Sequence, residues 1–86
     1  MNTRKDREIL NNDLKRCRFE KDGISQQELA NAVGVTRLTI HSIENGKFNP
    51  SVFLALKIAG FFGKPVEEIF FLEKHDIQSG KKELDR

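Results

Sequence analysis

The sequence predicts an all-α domain, and three stretches carry that expectation. Residues 26–44 read as two helices joined by a tight turn, residues 51–62 are apolar on nearly every side, as a central helix is, and Val66, Ile69 and Phe70 have the core spacing of a further helix over 65–72. The chain has 86 residues, enough for one domain, and its core must come from Leu, Ile, Val and seven Phe because Trp and Tyr are absent. One Cys excludes an internal disulfide and a Cys-rich metal site, and it fits a reducing cytoplasm. No apolar run approaches the ~20 residues of a membrane span, and the charged N-terminus lacks the apolar centre of a signal peptide. A formal charge of +2 is too small by itself to argue for nucleic acid, so the distribution of charge has to decide.

Taken in order, residues 1–11 form a polar N-terminal extension with Arg4, Lys5 and Arg7, expected as a frayed end or an extra helical turn, with a basic arm that touches a nucleic-acid backbone as the alternative. The first helix is expected over residues 12–21. Leu14 and Cys17 face inward on it, with Cys17 as a small buried apolar residue, while Phe19 falls outside that stripe. The second helix begins after Ser25, with Glu28 three positions on in capping-box spacing. Ala30 supplies the small residue where two helices cross at about 90–120°, and Gly34 supplies a left-handed stop. Thr36 caps the third helix, and Val35 with Ile40 has the spacing of a hydrophobic staple. That helix ends at Asn45-Gly46. Phe48 is expected to plug the core, and Asn49 or Ser51 to cap the fourth helix over 51–62. Beyond Leu72 the chain becomes charged, and residues 73–86, whose only aliphatic residues are Ile77 and Leu84, are expected as a flexible tail, with a partner-dependent strand or helix as the alternative.

The third helix carries the chemistry. Placed on a wheel, Ile40 and Ile43 define its buried side. Leu38, His41, Ser42 and Asn45 lie opposite, with Arg37 on the flank. Between Gly34 and Lys57 the only acid is Glu44, at the border of the buried side. A solvated helix face more often mixes charges. A guanidinium, an imidazole, a hydroxyl, an amide and an exposed leucine suit base edges, since Arg pairs with guanine and an apolar group meets the thymine methyl. Lys47 emerges beside this helix, where a phosphate contact fits. Gln26 opens the second helix, and a free amide at a helix N-terminus sits well against phosphate oxygens. No catalytic constellation, P-loop or His-rich metal motif accompanies these residues, and the adjacent Glu67 and Glu68 point too far apart to share a substrate. An enzyme is not expected, nor any metal or cofactor.

Residues 24–46, ISQQELANAVGVTRLTIHSIENG, resemble the helix-turn-helix of the Cro/repressor (Xre-type) family of DNA-binding regulators, and the similarity continues through FNPSVFLALKIAGFFGKPVEEIF to cover residues 12–72. The resemblance implies a compact, lambda-repressor-like bundle of five helices, with the recognition helix at residues 36–45 and a homodimer on double-stranded DNA. With the outer face read above, the expected base contacts are Arg37, Leu38, His41 and Ser42. Backbone contacts would come from Gln26, Thr36, Thr39, Asn45 and Lys47. The resemblance also implies an ion pair between Arg18 and Glu44, since many members pair an Arg here with the Glu that ends the recognition helix. Glu20-Lys21-Asp22-Gly23 makes a turn one residue longer than the usual family spacing, and Phe53 and Gly60 stand where the family usually has polar side chains. Phe53, Phe71 and Leu72 are the candidates for a dimer surface built from the fifth helix and the end of the fourth. The expected function is a cytoplasmic, sequence-specific transcriptional repressor on a near-palindromic operator. The alternative is an antitoxin- or controller-type interaction module, with a toxin or other protein partner, that also regulates its own operon.

Overall fold

A computed structural model of the chain describes residues 6–76. The order of elements is β1 (Asp6–Asn12), α1 (Leu14–Glu20), α2 (Gln26–Val33), α3 (Arg37–Glu44), α4 (Val52–Phe62), a 3-10 turn (Val66–Glu68) and β2 (Phe70–Asp76). Four helices and a two-stranded antiparallel sheet therefore replace the expected all-α bundle of five helices. The first helix is shorter than residues 12–21, because part of the presumed extension before it is a strand. The expected tail is a strand as far as Asp76, and Ile77 and Leu84 lie outside the described residues, as do Arg4 and Lys5.

The caps on the three central helices follow from the side chains that precede them. Ser25 Oγ accepts the Glu28 N–H at 2.9 Å while Glu28 Oε1 accepts the Ser25 N–H at 2.8 Å, a complete capping box. Thr36 Oγ1 accepts the Thr39 N–H at 3.2 Å, and Ser51, rather than Asn49, accepts the Leu54 N–H at 3.1 Å. Gly34 sits at φ 80° and ends α2, and both its N–H and that of Val35 donate to the Ala30 carbonyl at 2.8 and 3.0 Å. These two hydrogen bonds on one acceptor hold the turn tight, and the fully buried Ala30 lets α2 and α3 approach. The longer turn after α1 takes its extra residue through Asp22 at φ 60° followed by Gly23 at φ 66°.

The core is one cluster, with Leu14, Leu29, Ile40, Ile43, Ile58 and Ile69 fully buried and no buried polar or charged residue among those described. Phe48 departs from expectation: it is 47% exposed at the rim, because the chain turns outward after α3 and the core is already filled by Ile40, Ile43 and Ile58. Phe19, outside the inward stripe of α1, is exposed as the wheel places it.

The missing fifth helix has a physical reason. Pro65 gives its turn no side-chain cap, and a segment of eight residues is far below the ~12–15 at which a helix sustains itself without packing. Ile69-Phe70-Phe71-Leu72 is a β-branched and aromatic run that favours a strand once a partner is present. β1 is that partner, with Asn12 opposite Phe70, Leu10 opposite Leu72 and Asp6 opposite Asp76. The core spacing of Val66, Ile69 and Phe70 still holds: Ile69 and Phe70 are buried and Val66 packs against them. Side chains alternate along the strand, however, so Phe71 and Leu72 point to opposite faces of the sheet. They cannot both belong to the single helical surface expected for them.

Gly60 lies inside α4, and a Cβ placed there would meet nothing within 4 Å. Replacing it with Ala should therefore stabilise the protomer by about 0.5–1 kcal/mol, the helix-propensity difference. Urea unfolding measures this, and a destabilisation would mean that a neighbour fills the space.

Candidate nucleic-acid interface

α3 displays the expected outer face. Leu38 is 62% exposed, Arg37, His41 and Asn45 are exposed, and Ser42 and Thr39 are half-buried. Thr36, Leu38, Thr39, Ser42, Lys47 and Phe48 line one depression of about 310 Å³ beside the helix. Five residues expected at DNA thus share a wall. The sixth, Phe48, was missed as a surface residue because an aromatic two positions after a helix stop reads as core.

The other flank is a chain of hydrogen bonds. Arg18 Nε and Nη2 donate to Glu44 Oε2 and Oε1 at 2.7 and 3.0 Å, a bidentate grip, while Arg18 Nη1 donates to the Ile24 carbonyl at 2.8 Å. Gln26 Nε2 donates to Glu44 Oε1 at 3.0 Å, and Gln26 Oε1 accepts from Arg37 Nη1 at 3.3 Å. Gln26 therefore has both ends of its amide engaged within the protein, and it holds Arg37 against the start of α2. Burial pushes the Glu44 carboxyl up. Hydrogen bonds from Arg18 and Gln26, with the positive charges of Arg18 and Lys15, outweigh that and hold it below the usual carboxylate range. The Arg18 guanidinium is raised in turn by its bond to Glu44, against the opposing effect of burial. The acid at the end of the recognition helix is thereby kept ionised, turned inward and neutralised. His41 Nε2 and Asn45 Nδ2 lie 3.0 Å apart on the outer face, so the two side chains present one linked polar pair.

Asn12 is a further residue the sequence did not single out. Its Nδ2 donates to the Ile43 carbonyl at 3.0 Å, and its Oδ1 accepts the Leu14 N–H at 3.0 Å. It ties the end of β1 to the last turn of α3 and satisfies the first N–H of α1. With the segment expected as helix, no pattern in the sequence marked this role.

Cys17 is buried, and desolvation raises its thiol, which makes it unreactive. Among the described residues no group of three His, Cys, Asp or Glu side chains could hold a metal. No helix among them is long and apolar enough to cross a membrane.

A helix pair crossing at a glycine stop, with an acid-free outer face on the second helix, defines a helix-turn-helix DNA-binding domain. The family model described as Helix-turn-helix matches residues 14–69, and the chain belongs to this Cro/repressor (Xre-type) family of DNA-binding transcriptional regulators, which are not enzymes. It is 52% identical over 50 residues to an uncharacterised HTH-type transcriptional regulator of Methanocaldococcus jannaschii, covering 58% of this chain and 76% of that one. It is 31% identical over 61 residues to the cryptic phage CTXphi transcriptional repressor RstR of Vibrio cholerae, covering 71% of this chain and 54% of the repressor. It is 39% identical over 59 residues to the control protein C.MunI of a Mycoplasma species, covering 69% of this chain and 80% of that protein. Among solved structures, a candidate DNA-binding protein from Bacteroides fragilis superposes with a TM-score of 0.65 at 22% identity, covering 72% of this chain and 98% of that one, which supports the fold.

Proposed function

We propose that this regulator is a sequence-specific repressor that binds double-stranded DNA as a homodimer on a near-palindromic operator. The observation that carries the reading is Glu44. It is the only acid between Gly34 and Lys57, and its side chain is 5% exposed and neutralised by Arg18, so the recognition face meets the phosphates without repulsion. Arg37, Leu38, His41 and Ser42 read base edges, while Thr36, Thr39, Asn45 and Lys47 contact the backbone, joined by Gln26 through the one Nε2 hydrogen that its bond to Glu44 leaves free. Two recognition helices about 34 Å apart would then fall on successive turns of one groove.

Arg37 is the residue to test. Arg37→Ala should cost about 1–3 kcal/mol on the best site and relax the preference at one base pair. Retention of genomic fragments, sequenced for wild type and variant, measures both. Equal weakening on every fragment would place Arg37 on phosphate alone.

The similarity to a control protein supports a second reading, in which the same domain serves as a controller or antitoxin that binds a protein partner and regulates its own operon. A restriction or toxin gene beside this one would select that biology, and a phage operon would select the repressor.

A further inference from the structure

We propose that the exposed apolar face of α4 is the surface on which a second copy of this chain docks, with the two helices antiparallel about Leu56. The proposal rests on the homodimer reading above. Along α4, Leu54, Ile58 and Ala59 are buried, and Ala55, Phe61 and Phe62 pack against them. The opposite side is also apolar: Val52 is 76% exposed, Phe53 72% and Leu56 55%, with the exposed Gly60 completing the stripe. These positions fall within about 100° on the helical wheel, so they form one face rather than scattered spots.

The single charge at the edge of this stripe is turned aside. Lys57 Nζ lies 5.2 Å from the centroid of the Phe53 ring and reaches 3.6 Å from where a Gly34 Cβ would stand, at the negative end of α2. Gly60 has no role within the protomer. Its backbone is helical, and the space beside it is empty.

A two-fold axis through Leu56 makes the stripe complementary to itself. Leu56 of each copy meets its counterpart, and Val52 and Phe53 of one copy flank Gly60 of the other. The large side chains then enter the notch that the missing side chain leaves. A heterologous partner would have no reason to match a knob and a notch placed symmetrically on one helix. The size of the face sets the strength. Its three apolar side chains expose on the order of 300–400 Å² per copy, short of the roughly 800 Å² per partner of a standard stable interface. A contact this small gives weak self-association in solution, completed when two half-sites on one duplex raise the effective concentration of the second copy. The sheet offers a poorer surface: Ile9, 45% exposed, lies opposite Glu73, and Leu72 stands on the other face from Phe71.

The test uses the full chain. Leu56→Cys should give disulfide-linked dimers under mild oxidation of the free protein, while Leu72→Cys should not, and the buried Cys17 does not compete. Leu56→Glu, at an exposed position, should retain its helical content by circular dichroism. Its affinity for a full operator should fall at least tenfold while half-site binding stays unchanged. Linkage through Leu72→Cys and not Leu56→Cys, or full-site binding by Leu56→Glu equal to wild type, would overturn the proposal. The two readings fail separately: a wild-type chain that selects no duplex would refute sequence-specific repression, whereas Leu56→Cys linkage would still establish the α4 contact.

Discussion

Arg18→Ala and Glu44→Ala are each expected to destabilise the fold by up to about 3–5 kcal/mol, the range for stripping one partner from a buried ion pair, and by less where water reaches this part-buried one. The two side chains are only 14% and 5% exposed, so solvent screens only part of the group left behind. Each loss also has its own second cost. Without Arg18 the Ile24 carbonyl loses its donor, and without Glu44 the Gln26 amide loses its acceptor. Domains of this kind have total stabilities of about 5–15 kcal/mol, so either variant stands near the threshold of unfolding. The double variant should lose much less than the two singles together, and a double-mutant cycle with zero coupling would retire the idea. The pH dependence has a definite sign. Glu44 titrates lower in the folded chain than the ordinary glutamate value of about 4.3. The stability from the pair is therefore complete above that value, and it is lost as the pH falls through the depressed folded one. Glu44→Gln should flatten the acid limb of the stability curve below about pH 4.

Ile69→Ala is expected to cost about 2–5 kcal/mol, as for other fully buried large-to-small changes. Ile69 is fully buried between the 3-10 turn and β2, and its carbonyl accepts the Asp13 N–H at 2.9 Å. It thus anchors both the core cluster and the junction where β1 passes into α1. If the ribbon is part of the cooperative unit, chemical denaturation should remain a single transition at a lower midpoint with an unchanged slope. A two-step transition, with strand signals lost before helical ones, would show that the ribbon unfolds independently. Leu72→Ala, at a residue 63% exposed, should change stability little by comparison.

The middle of the chain was legible because each local rule there agrees with the others. Ser25 with Glu28, Ala30, Gly34 and Thr36 all point to one arrangement of α2 and α3, and the inward residues follow a 3.6-residue period. The outward face of α3 was readable for the same reason. The two ends were not. Their strands are seven residues each, and neither forms a sheet without the other. Ile69 and Phe70 are core residues in either conformation, so burial could be read correctly while the backbone was assigned wrongly. Asn12 and Phe48 were missed because their roles depend on that sheet and on the turn after α3, which no local spacing encodes.

The sheet also divides the kinetics of this chain from its equilibrium. Phe70 lies 58 positions beyond its partner Asn12, and Asp76 lies 70 beyond Asp6. The contacts of α2 with α3, by contrast, close over a few residues. Long closures demand most of the chain's freedom before any pairing rewards it, so the ribbon should zip after the helices have packed. Interactions absent from the folding transition state alter the unfolding rate and leave the folding rate nearly unchanged. A substitution such as Leu10→Ala should therefore shorten the lifetime of the folded molecule without slowing its formation, whereas Ala30→Gly in the helix pair should slow formation. The helices set how quickly a binding-competent molecule appears, and the two strands set how long it lasts.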